Sequence, residues 1–133
     1  MKKIILLLFL PLLFIACEDE IFSTIPNTPV NIKLDLGFSD MKLNAQLAYS
    51  CFTKEDPRLA SDKTGFGGVL VVNGWGTSPI NLYAYDLACP VEANRTVRVV
   101  PDNEGFCTCP KCGTKYNMAI GDGRPVSGDR KST

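Results

Sequence analysis

Four cysteines fall within 24 positions of this chain, Cys89, Cys107, Cys109 and Cys112. Thiolates are soft ligands. Four of them make a tetrahedral set for zinc or a single iron, and four also hold a two-iron cluster. Three occur in Cys107-Thr108-Cys109-Pro110-Lys111-Cys112-Gly113, and the fourth in Leu87-Ala88-Cys89-Pro90. A Cys-Pro-x-Cys-Gly turn sets two sulfurs where both reach one ion, and its glycine lets the backbone turn and aim amide donors at them. If the chain leading into that turn is extended, Cys107 and Cys109 share a face at period two, which brings a third sulfur within reach. Cys89 completes the set from a second loop. The chain has no histidine, so a histidine base, a Ser-His-Asp triad and any metal bound by its own imidazoles are excluded.

The competing chemistry for the same residues is disulfide formation. Small exported domains use cystines as staples, and four cysteines allow three pairings. Closing a loop of about 20 residues contributes around 3 kcal/mol in the chain-entropy picture. Cys51 lies outside both cysteine segments at an expected strand end, and reads as a buried small hydrophobe or a disulfide partner.

These loops need a scaffold of strands. Val30–Leu36 alternates apolar and polar residues, as a half-buried strand does. In Leu43–Tyr49, Leu43, Ala45, Leu47 and Tyr49 share a face at period two, and residues 53–66 read as loop. Gly68–Val72 is a compact β-branched strand, and Asn73-Gly74 after it signals a tight hairpin. Ile80–Leu87 is the return strand, followed by strands at Thr96–Val100, Gly105–Thr108 and Tyr116–Ile120. Tyr83 and Tyr85 share a face and are expected to pack into the sheet, with Trp75 packing across the hairpin. Short strands at close spacing, with no amphipathic helix, predict a small antiparallel all-β domain.

The N-terminus reads as a secretion signal. Lys2 and Lys3 precede an apolar run from Ile4 to Ile15, too short for the roughly 20 residues of a membrane-spanning helix. Phe14-Ile15-Ala16-Cys17 resembles a lipobox, which makes Cys17 the lipidation site. The expected organisation is a lipoprotein signal peptide at 1–16, a tether at 17–29 and one domain at 30–133, with Pro26 and Pro29 in the tether. Glu18-Asp19-Glu20 directly after the cysteine resembles lipoproteins of the Bacteroidetes. That implies an outer-membrane lipoprotein, facing the periplasm or the cell surface and held to the membrane by its lipid. The full chain carries 14 basic and 14 acidic side chains, and loss of Lys2 and Lys3 leaves an excess of two negative charges. No clustered basic face suggests a nucleic-acid partner.

Two segments, residues 85–91 and 107–116, also carry a family resemblance. Tyr85-Asp86-Leu87-Ala88-Cys89-Pro90 and Cys109-Pro110-Lys111-Cys112-Gly113-Thr114-Lys115-Tyr116 are similar to the two cluster-binding boxes of Rieske iron–sulfur domains, which read C-x-H and C-x-x-H-G-S-x-F. Gly121-Asp122-Gly123-Arg124-Pro125-Val126-Ser127-Gly128 resembles the glycine-proline segment that follows the second box, and family members usually continue with at least one further strand. The resemblance implies a Rieske-like antiparallel sheet or sandwich over 30–133. Cys89 and Cys109 match the two cysteine ligands, whereas the histidine positions hold Val91 and Cys112, so this is a degenerate member. A standard Rieske centre needs two histidines on one iron. An all-thiolate 2Fe–2S cluster in their place would have a potential near that of plant-type ferredoxins, roughly −400 mV.

The expected function is therefore metal or 2Fe–2S binding through Cys89, Cys107, Cys109 and Cys112, with zinc or iron as the other ions, and an electron-transfer role with an envelope redox partner. The alternative is a cluster-free module that keeps the scaffold, stapled by Cys89 to Cys109 or Cys112, with a structural or binding role at the envelope. No catalytic constellation is read from the chain, and an electron carrier or binding module is expected rather than an enzyme.

Overall fold

The computed structural model describes residues 24–128, so the expected signal peptide, Cys17 and the first part of the tether lie outside the described residues. The strands are β1 (Val30–Asn31), β2 (Tyr49–Phe52), β3 (Lys63–Thr64), β4 (Val69–Asn73), β5 (Leu82–Asp86), β6 (Ala88–Cys89), β7 (Asn94–Arg98), β8 (Val100–Pro101), β9 (Phe106–Thr108), β10 (Lys115–Asn117) and β11 (Pro125–Ser127). Every pairing is antiparallel, in sheets of order β2-β4-β5, β11-β10-β9-β8, β1-β3 and β6-β7. The all-β architecture expected from the strand spacing is what the chain adopts. Among the described residues no helix is long and apolar enough to cross a membrane.

Strand β4 organises the core because its β-branched run is apolar on both faces. All five of its residues are buried between β2 and β5. Leu70 and Val72 face one cluster with Leu87, Cys89, Val99, Cys107, Cys109, Tyr116 and Met118. Val69 and Val71 face a second with Leu43 and Phe52. Each fully buried Leu or Val contributes roughly 1.5–3 kcal/mol, so this central strand couples both halves of the domain. Tyr83 and Tyr85 pack against the first cluster as expected, and their hydroxyls donate to the carbonyls of Trp75 and Met118, each at 3.1 Å.

Three local expectations are revised. Only Val30 and Asn31 of the Val30–Leu36 run pair in a ladder, although Ile32, Leu34 and Leu36 still pack on the second cluster. The chain turns next because Asp40 competes for the backbone: its carboxylate accepts from the Asp35 N–H at 2.8 Å and from Arg58 Nη1 at 2.8 Å. Arg58 in turn lies 4.5 Å over the Phe52 ring. Second, Leu43 sits in a single 3-10 turn at Met41–Asn44, not in a strand, and Leu47 has φ 61°, so β2 starts only at Tyr49. Third, Asn73-Gly74 is not a two-residue turn. Asn73 still pairs with Leu82, and its side chain holds a longer connection by accepting from the Asn81 N–H at 2.7 Å. Gly74 is required for close approach, since a Cβ there would stand 2.1 Å from the Ala119 carbonyl oxygen. Trp75, in the same connection, is 51% exposed.

The run from Asn94 to Pro101 positions the cysteine loops. As β7 it pairs with β6, Ala88 opposite Arg98 and Cys89 opposite Asn94 across a bulge. At Val99 the chain leaves this ladder, the Val99 N–H donating to the Leu87 carbonyl at 2.8 Å. As β8 it then joins β9, Val100 opposite Thr108 and Pro101 opposite Cys107. This run thus spans two sheets and carries the Cys89 loop to the side of the Cys109–Cys112 loop.

Candidate metal centre

Cys89 ends β6, where the chain turns tightly. Its carbonyl accepts from the Ala93 N–H at 2.9 Å, and Ala93 has the left-handed φ of 45°. Cys109 and Cys112 lie in the loop joining β9 to β10. The loop is closed by the Cys109 N–H to the Thr114 carbonyl and by the Gly113 N–H to the Cys109 carbonyl, both at 2.9 Å. Gly113 takes φ 73° there, which an L side chain resists. The amides of Cys112 and Lys111 point at the Cys109 sulfur, the arrangement expected of the Cys-Pro-x-Cys-Gly turn.

The sulfurs of Cys89, Cys109 and Cys112 all lie within 4.8 Å of one another, a group able to hold a metal ion. Cys89 and Cys112 Sγ are 3.7 Å apart. A disulfide needs about 2.05 Å, and no described cysteine is at bonding distance from another. A tetrahedral ion with 2.3 Å bonds to sulfur holds its ligand atoms about 3.8 Å apart. Cys89 and Cys109 are buried and Cys112 half-buried, so the group reaches solvent on the Cys112 side.

The two cysteines of the β9–β10 loop differ in how their surroundings treat charge on sulfur. Burial pushes the Cys109 thiol up, and the amides of Cys112 and Lys111 offset this only in part. Burial also opposes charge on Cys112, but the Thr114 hydroxyl and amide, with the neighbouring thiols, outweigh it and hold Cys112 below the ordinary thiol range. The Thr114 hydroxyl lies 3.2 Å from Cys112 Sγ, and the Tyr116 hydroxyl 3.4 Å from Cys89 Sγ. Burial, and then Cys89, push the Tyr116 phenol far up. Lys111 pairs with Glu92 across the two loops, and Lys115 lies 4.4 Å over the Phe106 ring.

Cys107 does not join the group. It pairs with Tyr116 across β9 and β10 and lines a cavity of about 620 Å³ with Leu70, Tyr116, Met118 and Ile25 of the tether. Burial pushes its thiol up to about 12, as for a core residue. Cys51 also stays apart. It is exposed on the edge strand β2, opposite Leu70, contrary to the expectation of a buried residue. Thr114 and Tyr116 stand in the second cysteine segment, yet nothing in their spacing assigned them a role. Their hydroxyls matter because the closed loop before β10 holds Thr114, and the β10 ladder holds Tyr116, beside the sulfurs.

No family model, curated protein or solved structure matches the chain.

Proposed function

We propose that this is a metal-binding domain of the bacterial envelope, with one mononuclear centre held by Cys89, Cys109 and Cys112 and with zinc as its preferred ion. The observation that carries the reading is the convergence of three sulfurs from two loops to within 4.8 Å, at a spacing suited to one thiolate-bound ion. Amide and hydroxyl donors already face two of them, the outer-shell support that metal ligands need. Sulfurs divided between the two irons of a cluster stand further apart than sulfurs sharing one ion, and Cys107 lines a cavity instead of supplying a fourth thiolate. The geometry therefore favours a single ion over a 2Fe–2S cluster, and a tie between two loops over electron transfer. The Rieske-like scaffold, the lipid on Cys17 and the outer-membrane placement belong to the same reading and rest on the sequence motifs.

Metal and acid-labile sulfide content of protein purified without oxygen tests it. One zinc per chain, or one iron without sulfide, is the expected result. Iron and sulfide in equal amounts would replace the mononuclear centre with a cluster. Neither metal, with thiols lost to titration, would overturn the reading in favour of a Cys89–Cys112 disulfide. Cys17-dependent incorporation of labelled palmitate tests the anchor.

A further inference from the structure

We infer that this centre keeps an open fourth coordination position, and that the ligand it takes is a neutral nitrogen donor, an imidazole, supplied from outside the chain. The inference rests on the metal reading above and deepens it. Among the described residues no fourth cysteine and no carboxylate joins the three sulfurs. The chain has no histidine to offer. The nearest hydroxyls are already engaged, Tyr116 with Cys89 Sγ and Thr114 with Cys112 Sγ. Structural zinc sites are closed by four protein ligands, whereas three protein ligands leave a position for an exchangeable one.

Exposure and charge define what enters. Cys89 and Cys109 are buried, so the approach runs past half-buried Cys112. Three thiolates around a divalent ion leave one net negative charge. The nearby Lys111 ammonium offsets it only in part, because its main partner is Glu92. An anion entering the fourth position meets that charge, and a neutral donor does not. Imidazole is neutral, suits zinc, copper, iron and nickel, and is small enough to pass one half-buried side chain. On binding, the nitrogen lone pair forms the bond to the ion and a bound water leaves; no electron is transferred.

The test uses protein loaded with one cobalt(II) per chain, whose thiolate-to-metal and visible bands report the coordination shell. Titration with imidazole is expected to shift the visible bands saturably at millimolar concentration. Azide should need at least tenfold more for the same change. A blocked Gly-Gly-His-Gly peptide separates two sources of the same chemistry. A response within a few-fold of imidazole assigns the position to a partner's histidine, and no response assigns it to a free small molecule. Bands unmoved by imidazole, or moved equally by azide, would overturn the open position. Cobalt that gives no thiolate bands would instead refute the three-cysteine centre itself.

Discussion

Replacing Tyr116 with Phe removes one oxygen and leaves the ring in place, which isolates the hydroxyl that reaches the Cys89 sulfur. Tyr116 is 5% exposed and Cys89 fully buried, so water does not replace the lost contact. A hydrogen bond between a phenol and a protonated thiol contributes about 1 kcal/mol. With the metal bound, Cys89 is a thiolate, and a hydrogen bond to a charged group contributes about 1.5–3 kcal/mol. The 3.4 Å separation is ordinary for oxygen and sulfur, so the middle of that range, about 2 kcal/mol, applies. The difference, about 1 kcal/mol, appears as a five- to tenfold loss of metal affinity. Urea unfolding of wild type and Y116F, each with saturating zinc and with chelator, measures both losses, and competition with a chromophoric chelator measures the affinity. An equal loss of stability with and without zinc would show that the hydroxyl does not sense charge on Cys89. That result would refute the assignment of Cys89 as a ligand.

Other outcomes follow from the same geometry. Gly113→Ala introduces no clash, since nothing lies within 4 Å of the added Cβ, but it forces an L residue to φ 73°. It is expected to cost about 1–2 kcal/mol, read by thermal unfolding, and to speed metal release into chelator. A cost near zero would mean the loop relaxes without the turn. In metal-free protein, iodoacetamide followed by peptide mass spectrometry should label Cys112 before Cys109, since hydrogen bonds lower the first thiol and burial raises the second; the reverse order would contradict the Thr114 contact. Cys107 holds its proton up to about 12 in the folded chain against 9.0 for an ordinary thiol. Its contribution is complete below pH 9.0 and is lost as pH rises toward about 12, at about 1.4 kcal/mol per unit. Chemical denaturation across that window should show a shallower loss for Cys107→Ala, and an unchanged slope would place Cys107 in water.

The sequence exposed the elements whose patterns are local. The unbroken apolar run of β4 marks a strand buried on both faces, and the Cys-Pro-x-Cys-Gly turn reads as a metal loop without any knowledge of its surroundings. What failed depends on contacts distant in sequence. Leu43–Tyr49 alternates like a strand, but Asp40 and Arg58, 18 positions apart, fix the preceding turn and leave Leu43 in a 3-10 turn. Asn73-Gly74 carries a hairpin pattern, yet Gly74 answers to Ala119, which no local window contains. Period two puts Cys107 and Cys109 on one face only where the strand continues through both. Strand β9 ends at Thr108, and beyond it the loop closes through Cys109 and Thr114, carrying Cys109 to Cys89 while Cys107 stays opposite Tyr116.

The placement of the centre bears on how far the fold depends on it. Small zinc modules unfold without metal because they have no other core. Here Cys89, Cys107 and Cys109 are part of an apolar cluster that also holds Leu70, Val72, Leu87, Val99, Tyr116 and Met118, and the second cluster lies on the opposite face of β4. The metal-free chain is therefore expected to stay folded, with the ion adding stability by binding only the folded state. At free zinc 1,000-fold above its dissociation constant, that addition is about 4 kcal/mol, which for a domain of this size raises the midpoint by about 15–30 °C. Calorimetry with zinc and with chelator reads the shift, and circular dichroism in chelator reads the fold. A chelated chain with a random-coil spectrum would show that the two clusters do not suffice and that the thiolate centre, not β4, organises the domain. A folded chain whose midpoint does not respond to zinc would remove the centre from the stability of the protein altogether. With the expected shift and a retained β spectrum, the ion acts as a clamp on loops that the run from Asn94 to Pro101 has already brought together.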